Sequence, residues 1–387
     1  MEDIQMRRTL LDESHLAFAD AVAAFVAKEV TPHYEAWEAA GIIDREAWRA
    51  AGKAGLLGLS VPEEYGGGGN TDYRYNAVLC EALEGTPGLA LSLHSEVVGP
   101  YLTELCTEEQ RQRWLPGFCT GDLVTAIAMT EPGAGSDLQG IKTTAVQEGS
   151  GEGAHWVING SKTFITNGIH SDLVIVAAKT DKAAKHKGIS LFMVERGMPG
   201  FERGRNLDKI GLHAQDTAEL SFTDVRVPAN NIIGELDRGF YHLMHNLPQE
   251  RLVIAIGSIA RAERIFASTL DYIKTRTAFG QPIGSFQNSR FVAAEIATEL
   301  DIARVYVDRC IADHTNRELS AADAAKAKWW TTELSRSIID RCLQLHGGYG
   351  FMEEYPVARA WRDSRVSTLY GGTTEIMKEI VGRDLGL

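Results

Sequence analysis

Apolar positions recur at helical spacing through the first third of the chain. From Asp12 to Val30, residues Leu16, Val22, Phe25, Val26 and Val30 follow a 3.6-residue period and predict a helix that Pro32 ends. Arg45–Leu57 predicts a second helix, closed by Gly58. Four consecutive glycines in Pro62–Asn70 predict a loop. Helical patterning returns at Thr71–Leu83 and at Glu108–Trp114, where Thr107 stands in the N-cap position. After residue 120 the pattern shortens and Val, Ile, Thr and Phe become frequent. His155–Ile158 and Lys162–Thr166 flank Asn159-Gly160, which predicts a β-hairpin. Leu173–Ala177, Ile189–Val194 and Ala218–Phe222 predict further strands. From about residue 237 the period is helical again: Leu243–Ile273 (interrupted by Pro248), Phe286–His314, Ser320–Leu345, Pro356–Asp363 and Thr373–Leu385. Helices that give way to strands and then return predict a mainly α chain with an inserted β-domain, rather than an alternating α/β fold. The expected divisions are 1–120 helical, 121–232 β and 233–387 an antiparallel helix bundle.

Composition narrows the functional classes. Across 387 residues the formal charge is −13, which argues against binding a phosphate backbone, so no nucleic-acid partner is expected. The five cysteines show no CxxC spacing, and His94, His213 and His346 have no ligand-like neighbours, so no metal site is expected. Reduced thiols and the absence of an apolar segment near the start predict a cytoplasmic protein. No run approaches the roughly 18 apolar residues of a membrane span.

Four segments carry candidate chemistry. Met129–Asp137 (MTEPGAGSD) follows a strand-like run with a Gly/Pro turn that exposes backbone N–H groups. Gln344–Gly350 (QLHGGYG) closes a helix, and Tyr370–Ile376 (YGGTTEI) opens one with Thr373 as its cap. Each is also compatible with plain loop or helix-end structure. Glu250 and Arg251 lie on a very apolar helix, where Asn246, Leu247, Val253 and Ile254 are the neighbours of Glu250. A carboxylate against apolar surface has its pKa raised, as a general base requires; an ion pair to another helix is the alternative.

Taken together and in order, MTEPGAGSD, Phe164–Gly168, Arg276–Gly280 with Gln287, QLHGGYG and YGGTTEI resemble the acyl-CoA dehydrogenases over nearly the whole chain. The resemblance implies an N-terminal helical domain, a central β-barrel-like domain and a C-terminal four-helix bundle. It implies non-covalent FAD and oxidation of an acyl-CoA to the trans-2-enoyl-CoA: a carboxylate takes the α-proton and the β-hydrogen leaves as hydride to the flavin. By position, Ile127, Ala128, Met129 and Thr130 would meet the flavin ring, and Ser136 would lie between flavin and substrate. Phe164, Ile165 and Thr166 would cover the other ring face. Arg276, Phe279 and Gln287 would reach the FAD of a neighbouring subunit, Gln344, Gly347 and Gly348 its pyrophosphate, and Thr373 and Glu375 would close the site. Such contacts imply a dimer at least and, by the family's habit, a homotetramer. The implied electron acceptor is electron-transferring flavoprotein.

One departure is informative. Most members carry the catalytic Glu directly after the Tyr of the last motif, where this chain has Tyr370-Gly371-Gly372-Thr373. Long-chain and isovaleryl-type members place the base on the long C-terminal-domain helix, and Glu250 in PQERL matches that position. Arg251, Tyr370 and Ser136 would then contact substrate, and the Gly371 N–H would donate to the thioester carbonyl. The expected substrate is a long-chain fatty acyl-CoA of β-oxidation. The alternatives are a branched short-chain acyl-CoA, a flavin monooxygenase or acyl-CoA oxidase, and a non-catalytic partner subunit.

Overall fold

The computed structural model describes residues 6–387. Helix α1 (Glu13–Phe25) starts where Asp12 accepts the N–H groups of Ser14 and His15. Pro32 does not end the helical path. A wide turn at Val26–Val30 and a tight turn at Thr31–His33 carry it into α2 (Tyr34–Ala40), because a proline in a first turn has no donor to lose. The second predicted helix, α3 (Arg45–Lys53), stops four residues early, and Leu56 and Leu57 turn into the core. α4 (Tyr73–Leu83) matches the pattern, whereas α5 (Gly99–Leu105), opening on Gly-Pro, escaped it. α6 (Glu108–Thr120) begins with a reciprocal capping box between Thr107 and Gln110.

The middle of the chain forms one eight-stranded sheet: β1 (Thr125–Ala128), β2 (Thr144–Glu148), β3 (His155–Thr166), β4 (Leu173–Lys179), β5 (Ile189–Glu195), β6 (Phe201–Asn206), β7 (Thr217–Pro228) and β8 (Ile232–Ile233). The strand order is β6-β7-β3-β2-β4-β5-β8, with β1 added parallel to β4. Val174 and Val176 of β4 and Phe192 of β5 share a core with Ile158 of β3 and Phe222 of β7, so the two halves of the sheet close around one interior. The opposite face of β4 and β5 buries Ile175, Leu191 and Met193 against α5 and α6.

The predicted Asn159-Gly160 hairpin is corrected, since both residues lie inside the continuous strand β3. Asn159 exchanges hydrogen bonds with Asp224 across the sheet, and the β3–β7 register shifts at this point. Gly160 has φ +150°, and a Cβ there would stand 2.4 Å from Thr143 Oγ1. The dipeptide therefore makes a bulge at a close backbone approach, the other use of glycine in strands.

The C-terminal domain contains α7 (Gly239–Thr275, with Pro248 inside it), a small hairpin β9 (Thr277–Ala278) and β10 (Gln281–Pro282), α8 (Gln287–Thr315), α9 (Ala321–His346), α10 (Pro356–Ser364) and α11 (Thr374–Asp384). Ile256, Ile259, Ile296, Val307, Ile338 and Ile339 interlock α7, α8 and α9 in one core that also takes Ala77 and Cys80 of α4.

Candidate active site

A cavity of about 710 Å³ lies where α4, α7, α11 and the end of β1 meet. Its wall on α7 is a stripe of Glu250, Ile254, Gly257, Ser258 and Arg261, positions that share one helix face. Burial dominates the state of Glu250 and raises its carboxyl from 4.5 to about 7, against the opposing pull of a hydrogen bond from Tyr101 and the nearby charge of Arg251. Tyr101 Oη donates to Oε1 at 3.0 Å. Tyr101 was not anticipated from sequence, because α5, which carries it, shows no clean helical period. Arg251 is equally buried, and its Nε is a buried donor without a protein partner.

Opposite Glu250 the cavity meets the loop Met129–Asp137. Ile127, Met129, Thr130 and Ser136 line it, and the chain closes on itself through reciprocal Glu131–Ala134 backbone bonds of 2.9 and 3.1 Å. Glu131 anchors this loop from below. It accepts the N–H groups of Lys142 and Thr143 and the ammonium of Lys162 at 2.9 Å, and Lys162 Nζ also donates to the Met129 carbonyl. Burial lowers Lys162 to about 8 despite its partner. Neither Glu131 nor Lys162 was singled out from sequence; the apolar spacing of Lys162 inside a strand was the available signal. Ala128 turns its methyl into the sheet core and does not line the cavity.

Phe164, Ile165 and Thr166 form another wall. Phe164 adopts φ +60° and leaves its ring 69% exposed, a costly arrangement that holds an aromatic face open at the cavity. Tyr370, Gly371 and Gly372 complete the site beside Ile254. Gly371 has φ +63°, and a Cβ there would stand 2.3 Å from Ile254 Cδ1. The Gly372 carbonyl is held by Lys328 Nζ at 2.6 Å, and Thr373 caps α11 by accepting the N–H of Ile376. Glu375 lies on the first turn of α11, exposed and outside the cavity lining.

A second, separate groove of about 480 Å³ is lined by Arg276, Gln344, Gly347 and Gly348, with Tyr272 and Tyr349. It shares no lining residue with the first. Gly347 has φ +60°, and a Cβ on either glycine would meet nothing within 4 Å, so the backbone lies bare to a ligand. Phe279 projects nearby from the β9–β10 hairpin, 95% exposed, and Gln287 opens α8, also exposed. Among the described residues, no three His, Cys, Asp or Glu side chains stand together as a metal site. Nor is any helix long and apolar enough to cross a membrane.

An exposed ring face, a turn of bare backbone N–H groups and an open di-glycine groove suit a flavin dinucleotide, whose ring and phosphate ends need these surfaces. The chain belongs to the acyl-CoA dehydrogenase family: models of its N-terminal, middle and C-terminal domains match residues 12–122, 126–225 and 237–386. It is 48% identical to the long-chain specific acyl-CoA dehydrogenase of Sus scrofa, over all of this chain and 89% of that protein. The isovaleryl-CoA dehydrogenase of Solanum tuberosum is 35% identical over 97% of this chain and 91% of its own length. The crystal structure of an acyl-CoA dehydrogenase from Geobacillus kaustophilus superposes with a TM-score of 0.94 at 50% identity, covering 97% of this chain and 99% of its own.

Proposed function

We propose that Glu250 abstracts the α-proton of a long-chain saturated acyl-CoA and that the Gly371 N–H steadies the developing enolate charge. The observation that carries this reading is a carboxylate buried in the cavity wall, raised to about 7 and hydrogen-bonded by one hydroxyl. A base near the working pH is the efficient choice for a weak carbon acid. A donor fixed at the thioester oxygen lowers the cost of the charge that forms. The group that accepts the β-hydride is FAD, which supplies the two-electron chemistry when bound.

The protein's own contribution is placement. Met129 and Thr130 would hold one side of the ring, and Phe164, Ile165 and Thr166 would cover the other. Ser136 would meet both the ring and the pantetheine arm. Arg251, with its unpartnered Nε, would donate to the bound substrate or cofactor. Tyr370 would form the channel wall beside the reacting carbons.

Oligomerisation enters through the second groove. Arg276 is 26 residues beyond Glu250, about 39 Å along the helix axis. That separation supports a role for Arg276, Phe279, Gln287, Gln344, Gly347 and Gly348 on the cofactor of a second subunit, and hence a dimer or a homotetramer built from dimers. Electron-transferring flavoprotein is the proposed acceptor.

An anaerobic titration of the FAD-loaded protein with saturated and branched acyl-CoAs tests the reading. Bleaching of the visible flavin band by long straight chains is expected. Bleaching by isovaleryl-CoA alone would transfer the assignment to the branched-chain alternative.

A further inference from the structure

The cavity is not lined by apolar side chains alone. Three helical turns beyond Glu250 on the same face of α7, Arg261 pairs with Glu84, which follows α4. Arg261 Nε donates to Glu84 Oε2 at 2.9 Å and Nη2 lies 2.7 Å from the same oxygen. Both residues line the cavity, and both side chains are largely withdrawn from solvent, at 7% and 13% exposure. The fold makes room for this pair: Gly257 stands where a Cβ would lie 2.3 Å from Glu84 Oε1. A buried ion pair is expensive to desolvate, and its presence in the cavity wall calls for a role.

We propose that the Arg261–Glu84 pair is the floor of the acyl channel and sets the longest chain the enzyme accepts. Glu250 marks the reacting end, so the inference rests on its assignment as the base. The Glu84 carboxylate reaches the level of Gly257, seven residues of helix and about 10 Å of rise beyond Glu250, so the pair meets the chain about two turns past the reacting carbons. A longer chain must either break the pair or bring methylenes against it, and leaving one buried charge uncompensated is costly. A cavity end made of two paired charges is a firmer stop than one made of deformable apolar side chains.

The test is kcat/KM for saturated acyl-CoAs from eight to twenty carbons, measured on the FAD-loaded enzyme. The wild type is compared with Arg261→Ala/Glu84→Ala, which removes both charges together. The expected result is a steep loss in the wild type beyond one chain length. The double variant should move that edge outward by at least two carbons, read from the ratio of kcat/KM between successive lengths within each protein. Ser258→Leu leaves the pair intact and provides the opposite test: one turn nearer Glu250 on the same stripe, it should move the edge inward by several carbons. An unmoved edge in both variants, or a loss uniform over all lengths in proteins that keep their FAD, would overturn the proposal. So would a wild-type preference for ω-carboxy over plain chains that the double variant loses, since the pair would then recognise a polar end. Failure of the ten-carbon substrate to bleach the wild-type flavin would instead count against the Glu250 reading.

Discussion

At the residue scale, two buried acids share a raised pKa for the same reason and serve different ends. Glu250 and Glu96 are both withdrawn from water and held at about 7. Glu250 faces the cavity with Tyr101 as its donor, whereas Glu96 has only Asn76 Nδ2 at 2.8 Å and lies outside the cavity lining. The Tyr101 hydroxyl favours the carboxylate form, so Tyr101→Phe should raise the acidic limb of the kcat/KM profile by about one pH unit, the equivalent of a modest hydrogen bond to a charge. An unshifted limb would remove Tyr101 from the tuning of the base. For Glu96 the consequence is stability. The folded chain keeps this proton up to about pH 7 while the unfolded chain loses it near 4.5. Between those values the unfolded state binds fewer protons, so stability falls as pH rises. Glu96→Gln should therefore raise Tm relative to wild type at pH 8 and not at pH 5. A gain of equal size at both would contradict the linkage.

At the scale of elements, the Gly371–Gly372 turn fits the proposal that the base lies on α7. Ile254 Cδ1 occupies the space a side chain at 371 would enter, and the φ of +63° strains any residue but glycine. Gly371→Glu with Glu250→Gly should consequently stay inactive, and adding Ile254→Ala should restore measurable flavin reduction. Activity in the double variant equal to that of the triple would show that Ile254 is no obstacle. Much of this scale was legible in the chain. The long helices α7 to α9 and the glycine motifs follow strong periods and short-range turn chemistry. What escaped was set by contacts distant in sequence. Asn159-Gly160 reads locally as a hairpin, but Asp224 and Thr143 make it a bulge. α5 reads as a Gly-Pro break, yet it supplies Tyr101. Glu84 and Arg261 are 177 residues apart, and no local pattern joins them.

At the scale of the whole molecule, charges tie the N-terminal segment to the bundle. Arg304 of α8 meets Glu81 of α4 at 2.7 Å and Glu263 of α7 at 2.5 Å, and Arg8 bridges Glu81 to Asp308. Burial works against the Arg304 charge, but these carboxylates more than offset it. Arg304→Leu strands Glu263 and leaves Glu81 with Arg8 alone, and should cost about 3–5 kcal/mol in denaturant unfolding; a loss below about 1 kcal/mol would show the network to be solvated. In the proposed reading, Arg276 serves the cofactor of a second subunit. Co-refolding an Arg276→Ala chain with a Glu250→Gln chain should yield mixed assemblies that regain flavin reduction by a long-chain acyl-CoA above that of either parent, because the chain that keeps Glu250 then receives FAD through its neighbour's Arg276. Mixed assemblies that hold FAD and show no regained reduction would argue that Arg276 serves its own chain.

The central claim is that Glu250 is the base, and the rate of anaerobic flavin reduction by a long-chain saturated acyl-CoA tests it most directly in the wild type and in Glu250→Gln. The account predicts a variant that keeps its FAD spectrum and thermal stability and loses at least about 10²-fold in the reduction rate, the lower range for a general base. A variant that bleaches at close to the wild-type rate would contradict it.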